Sequence, residues 1–405
     1  MLNRNVTVGV ALENDEGVEE SLAEVDYAGS RKETNHSYEH EDYERELDRG
    51  VLSKQAPVKS RFGMTHSWME ECIGGSAAPG NIQIPPWSKT LQGMGFAASG
   101  NIFQWTCATT GATAEVGDRV GNNANPLLAT KTAIVVRATA TTIWLAPTRG
   151  VLAATDDLRN YSRTGSYVLS GTGTNKGWRF TPQTETESVV PPSLTITRDL
   201  GGELHTAVGA RGTGSFVLRQ GEPCMIEAEF QGVPKFETGT RRPRVRVGAR
   251  PNPPATLAAP TPVAGIPLRM RHAGGSHAPL VTELTIQINN TLARRRTMTD
   301  ADIDDTGFLA TRITDRSVQI SIDPEHVASS VFDVHGFVHG QSEFELIVPY
   351  GRATDPNGQI VFYAPRCSLV GSVEPGDRDG ITTMPLTIGC YGDNDDELHV
   401  MLLYP

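Results

Sequence analysis

Long apolar runs are missing from this 405-residue chain: no stretch approaches the roughly 20 apolar residues that span a bilayer. A helical membrane protein is excluded, and no membrane partner is expected. The opening MLNRNVTVGVALENDEG has neither an apolar h-region nor a small-residue cleavage site. That predicts a protein kept in the cytoplasm until something else releases it. Cysteine is scarce and scattered: Cys72, Cys107, Cys224, Cys367 and Cys390 form no CxxC or CxxH spacing, so zinc and redox motifs are excluded and free, mostly buried thiols are expected. Aromatic residues are few, which leaves little with which to stack bases or sugars.

Catalytic and cofactor signatures are missing too. None of the ten histidines falls in an HExxH arrangement; His335 and His339 have the spacing of helical metal ligands, but Gly336 and Gly340 argue against a helix there. GTGTNKG (171–177) lacks the GKS/GKT ending of a phosphate loop and reads as a flexible loop. Asp393, Asp395, Asp396 and Glu397 could hold a hard cation, or form a solvated turn without the internal Gly of a calcium loop. DPNG (355–358) and PGDRDG (375–380) are turn sequences. No catalytic residue, metal site or cofactor is assigned.

The formal net charge of −11 argues against a surface that holds nucleic acid by neutralising phosphates. An acidic wall would instead repel a passing phosphate backbone and keep it from sticking. The basic run RRPRVRVGAR (241–250) could hold phosphate through its Arg forks, or meet an acidic neighbour across an interface.

What the chain does have is alternation. TAIVVRATATTIWLAP (132–147), SLTITRDL (193–200), MIEAEFQG (225–232), TELTIQINN (282–290), SVQISID (317–323) and ELHVMLLY (397–404) read as strands, and long helical periodicity is almost absent. The fold class is mainly β. Short helices are expected at Ser67–Cys72, at Trp87–Met94 after Pro85-Pro86, and around Pro324–Phe332. Composition divides the chain into residues 1–98 with 171–258, an insertion at 99–170 with the turn spacing of a small barrel or an elaborate surface loop, and residues 259–405. The Arg- and Pro-rich end of the 171–258 stretch serves as a linker.

The two halves repeat an order of elements. A polar hairpin (35–55), VKSRFGMTHSWM, a helix, SLTITRDLGGELHTAVGARGTGSFVL and GEPCMIEAEFQG are echoed by 291–309, TDRSVQISID, PEHVASSVF, FELIVPYGRATDPNGQIVFYAPRCSLVG and GITTMPLTIGCYG. Such echoes arise by chance in hairpin-rich proteins or by duplication. In the second case three copies would present six equivalent domains.

Several segments, in their order, resemble the tail tube proteins of long-tailed bacteriophages. VTVGVALENDEGVEESLAEVDYAG resembles their opening strand with its acidic Gly turn, and YERELDRGVLSKQAPVKSRFGMTHSWMEECIGG resembles the inter-ring loop, strand and helix that follow. PPWSKTLQGMGFA is similar to their short helix ending in a Gly-aromatic pair, and the GARG run at 209–212 before GEPCMIEAEFQGV, and a Gly-Gln-Ile strand before PGDRDGITTMPLTIG, continue the order. The resemblance covers most of the chain outside 99–170. It implies tandem tail-tube domains of β-sandwich or half-barrel form with short helices and a small β insertion. It also implies a structural virion protein of the tail rather than an enzyme, assembled in the host cytoplasm into stacked rings of three or six copies around a channel for DNA ejection.

Implied partners are other copies, the tape measure, terminator and baseplate proteins, and DNA passing without specific binding. Tyr38, Glu39, Tyr43, Glu44 and Arg45 would make inter-ring contacts, with Arg294, Arg295 and Arg296 as second-half counterparts of opposite charge. Closing sheets across subunits hides their edges, with Thr195, Arg198, Glu227 and Glu229 able to face water. The alternatives are another virion ring protein, from the baseplate or a head decoration, and a tail-associated carbohydrate-binding or glycan-cleaving protein.

Overall fold

The computed structural model describes residues 6–23, 26, 31–44, 57–74, 77–78, 81–82, 84–110, 114–162, 165–186, 189–200, 203–236, 245–247, 260–261, 266–272, 275–296, 308–352, 354–355, 357–392 and 395–404. Strands dominate, as the alternation predicts. The chain opens with β1 (Val6–Leu12), β2 (Arg31–Tyr43), β3 (Val58–Glu71), the short β4 (Ala77–Ala78) and β5 (Asn81–Ile82), and helix α1 (Trp87–Gly93). Then come β6 (Phe96–Thr110), β7 (Arg119–Gly121), β8 (Thr132–Ala138), β9 (Thr142–Arg149), β10 (Asp157–Asn160) and β11 (Ser166–Pro182).

The chain continues through β12 (Leu194–Leu200), β13 (Glu203–Arg219), β14 (Met225–Pro234), β15 (Val245–Val247), β16 (Arg269–His272), β17 (Gly275–His277), β18 (Glu283–Arg296) and β19 (Phe308–Ile322). Helix α2 (Val334–His339) precedes β20 (Phe344–Tyr350), β21 (Gln359–Val370), β22 (Gly376–Arg378), β23 (Ile381–Thr383), β24 (Leu386–Cys390) and β25 (His399–Leu403). Among the described residues no helix is long and apolar enough to cross a membrane.

All pairings are antiparallel, and their order repeats. In the first half the neighbours run β2-β3-β14-β13-β12, and in the second β18-β19-β24-β21-β20. In both, a hairpin is followed in sequence by a helix, a second hairpin and a last strand that inserts between the two hairpins. The halves join directly, because Gly214–Arg219 of β13 pair with Ile288–Glu283 of β18. The resulting sheet is one-sided. Ile226, Phe216, Ile286, Ile320 and Ile388 turn inward to a shared core that also takes Trp87 and Leu91 from α1 and Met94 at its end, while Glu227, Ser215, Gln287, Gln319 and Thr387 turn to the other face.

Inserted in the first half between α1 and β12, β6, β9, β8, β7, β10 and β11 pair in a circuit that closes on itself, β11 returning to β6. Trp105, Val120, Val135, Leu145, Leu158 and Tyr167 fill its interior. Closure removes every free edge of these short strands. The outer wall, with Ile102, Ile134, Val136 and Trp144, packs on Ile347, Val361, Tyr363 and Met401 of the second half.

Several local expectations are corrected. Residues 67–72 are not helical: β3 runs through Glu71, paired with β14 on one edge and β2 on the other, and Met64, His66, Trp68 and Glu70 alternate inward. Sheet pairing on both edges overrides the helix propensity of Met-Glu-Glu. Pro324–Phe332 is a turn segment, and the helix begins at Val334, where the Asp333 side chain caps it by accepting from the Gly336 N–H at 2.9 Å. His335 and His339 therefore do lie on a helix, Gly336 included. Residues 171–177 belong to β11 rather than a loop, with shifts of register between Ser170 and Thr174 and between Asn175 and Gly177. Thr195 and Arg198 are buried rather than facing water.

Candidate assembly interface

The outer face of the joined sheet is largely polar across seven strands. Along one row of cross-strand partners lie Met69, Glu227, Ser215, Gln287, Gln319, Gly389 and Ser368; flanking rows carry Ser67, Glu229, Thr213, Asn289 and Ser317, and Thr285, Ser321 and Thr387. Its charges in these rows are the exposed carboxylates of Glu227 and Glu229. These rows are thus hydroxyl- and amide-rich with an acidic bias and able to hold water, and Arg219, exposed on the same face, is paired with Glu283 at 3.2 Å.

The edges of this sheet are complementary. β13 uses one edge for β12 and then, from Gly214 on, for β18. Its second-half counterpart β21 uses the corresponding edge for β20 as far as Cys367, and among the described residues no strand follows. β2 in turn has, among the described residues, no strand on the edge away from β3, the edge on which its counterpart β18 meets β13.

The residues expected to contact other rings gather beside β2. Glu39 pairs with Arg294 at 2.8 Å and Arg296 with Glu41 at 3.3 Å, so charges expected to meet between rings meet within one chain. Burial alone would raise the Glu39 carboxyl, but the Thr65 hydroxyl and Arg294 outweigh it and hold it below the usual range. Arg294 lies directly over Gly63, where a Cβ would collide with its guanidinium. Tyr43 and Glu44 are exposed, Tyr43 by 67%. Arg45 lies outside the described residues.

Tyr38 belongs to a half-buried aromatic group whose innermost member is His66. Its hydroxyl sits 2.8 Å from Nδ1 of His205, and His36 stacks against His205 and His66, ring centroids 4.4 and 6.0 Å away. Arg198 meets Nδ1 of His36 and donates to the Thr34 carbonyl at 2.8 Å. Because a guanidinium only donates, Nδ1 of His36 is the unprotonated nitrogen. Burial first, then the neighbouring rings and Arg198, lowers His66 to about 3 and His36 to about 4.

Sequence reasoning missed Glu16 and Glu13, which hold the first turn to the sheet. Glu16 receives the buried Arg211 at 2.5 Å and Arg312 at 2.8 Å, with Arg295 at 3.6 Å. Glu13 accepts from the backbone N–H of Gly17 and Gly209, each at 2.8 Å, and from the Ser193 hydroxyl at 2.5 Å. The signals were present as the acidic Gly turn and the GARG run; what joins them is β1 pairing with β12, which places Leu12 opposite Leu194.

The remaining motifs are structural. Asp395 and Glu397 both pair with Arg316, at 3.1 and 2.6 Å, whereas Asp393 lies outside the described residues. Asp355 accepts from the Asn357 N–H in the DPNG turn, and Asp379 and Gly380 make the left-handed turn between β22 and β23. Of RRPRVRVGAR only Val245–Val247 is described, as a strand on Glu203–His205. Among the described residues no group of metal-ligating side chains gathers. Compared with known proteins, the chain matches no protein family and no curated protein.

Proposed function

We propose that the chain is the ring subunit of the tail tube of a long-tailed bacteriophage, a passive channel through which DNA leaves the capsid. The observation that carries this reading is the repeated strand order joined at β13 and β18, with unfilled edges of matching kind at β21 and β2. Repeating the internal junction between copies would bring the end of β21 onto β2 of the next copy. Three copies would then close a ring of six tube-like units, built from residues 1–98 with 171–258 and from 259–405. The polar, weakly acidic face fits the inside of such a ring, past which a phosphate backbone slides without being held. Exposed Tyr43 and Glu44 would supply ring-to-ring contacts, and the segment resemblance points the same way.

Negative-stain electron microscopy of the concentrated protein, with mass determination of the smallest ring, tests it. Stacked hollow rings whose mass equals three chains support the reading in full. A ring of six chains keeps the tube and overturns the duplicated-domain closure. Persistent monomers, in the presence of preformed tail tips as initiators, would sink it.

A further inference from the structure

Four of the five cysteines, scattered in sequence, come together as two buried pairs. Cys367 on β21 and Cys390 on β24 are direct cross-strand partners, their sulfurs 3.8 Å apart. Cys72 just past β3 and Cys224 just before β14 meet where the Cys72 N–H donates to the Cys224 carbonyl at 2.9 Å, and their thiols are in contact. Directly opposed antiparallel residues have Cα atoms about 4.5–5.5 Å apart, inside the range a disulfide spans. Cys107 sits by itself in the core of the closed six-stranded circuit.

We propose that these pairs are two sites of oxidative modification, each a dithiol that takes a two-electron oxidant of the small azo or disulfide class and closes to an intramolecular disulfide without changing the strand register. In a reducing cytoplasm both stay open. Outside it, Cys367–Cys390 would bolt β21 to β24, and Cys72–Cys224 would bolt β3 to β14, so each half of the sheet gains one covalent cross-tie. Burial first, then the neighbouring thiol, raises Cys72 and Cys367 well above the ordinary thiol range. Thiolate is the reacting form, so closure is slow at neutral pH and faster in alkali. Cys390 keeps 7% exposure beside the exposed Tyr391, whereas Cys72, Cys224 and Cys367 are fully enclosed, so their oxidation waits on local opening of the strands.

Diamide is a suitable probe. One thiol adds across its N=N bond, forming an S–N bond; the second thiolate attacks that sulfur, the S–S bond forms, the S–N bond breaks, and the hydrazine product leaves with both protons. Two thiols are oxidised and one azo bond is reduced.

The test treats the reduced full-length protein with diamide at mildly alkaline pH, then alkylates in denaturant and measures intact mass and peptide maps. The expected product has lost four hydrogens, carries one alkyl group on Cys107, yields the cross-linked peptides 367–390 and 72–224, and unfolds at a higher temperature than the reduced protein. Cys390→Ser should lose the first cross-link alone, and Cys107→Ser, which touches neither pair, should keep both if the former does not fold. Five alkylated thiols after treatment, or cross-links that include Cys107, would overturn the proposal.

Discussion

The Glu39 carboxylate on β2 and the Arg294 guanidinium on β18 stand 2.8 Å apart, tying the first strand of one repeat to the first strand of the other. The approach is a charge contact rather than an aligned hydrogen bond, since Nη2 of Arg294 lacks a partner in good geometry. Glu39 is half exposed, so water screens the pair. A double-mutant cycle with Glu39→Gln and Arg294→Ala should give a coupling of about 0.5–1 kcal/mol in chemical denaturation. Gly63→Ala should erase most of that coupling by lifting Arg294 off β3.

Glu16 carries far more. Its partner Arg211 is 1% exposed, and removing the carboxylate strands a buried cation. Glu16→Ala is expected to cost about 3 kcal/mol in urea unfolding. A loss below 1 kcal/mol would show that the Thr311 and Pro191 carbonyls, which Arg211 also reaches, suffice to hold it.

Acid should loosen the contact between β2–β3 and β12–β13. His66 titrates near 3 in the folded chain and His36 near 4, whereas unfolded histidines bind protons near 6.5. Both folded values are depressed, so between those limits the unfolded state holds more protons and stability falls as pH falls. For the fully buried His66 the slope is at most about 1.4 kcal/mol per pH unit. Arg198, His205 and Glu203 are the other charged or titratable groups facing the cluster, with Tyr38 beside them. Unfolding curves from pH 7 to 4 should steepen their loss below 6.5, and His66→Phe should flatten it; an unchanged slope in that variant would assign the effect elsewhere.

The two faces of β18 should respond oppositely. Ile286→Ala opens a cavity in the shared core and is expected to cost about 2–5 kcal/mol. Gln287→Ala, one residue on, should stay within about 0.5 kcal/mol by the same measurement. If the proposed tube forms, Gln287→Arg should leave folding intact yet slow the passage of polyanions through it, read as dye-labelled DNA retention.

Strands were legible because a half-buried sheet writes its period of two into the residues: Leu284, Ile286 and Ile288 alternate with Thr285 and Gln287 whatever they pair with. Helix α1 was legible through Pro85-Pro86, but residues 67–72 were not. Glu70 looks like a surface helix residue until the Thr90 hydroxyl, from α1, is seen donating to it at 2.8 Å in the interior. Side-chain identity carries periodicity, whereas partners from distant segments carry the rest. For that reason the Glu16 hub, the histidine stack and the cysteine pairs emerge only from the fold, and the opposite charges of β2 and β18 were visible without the fact that they meet in one chain.

The closed six-stranded circuit leaves and re-enters the main sheet through one paired stem, where Phe96–Ala98 and Asn101–Ile102 of β6 face Thr181–Pro182, Phe180 and Gly177–Trp178 of β11. Everything between is reached through two adjacent chain ends. The circuit is thus tethered by a single stem yet also roofs the second half, where its outer wall covers Ile347, Val361, Tyr363 and Met401; a different module whose termini emerge side by side could be spliced at this stem only if it brought an apolar face of its own to keep those side chains dry.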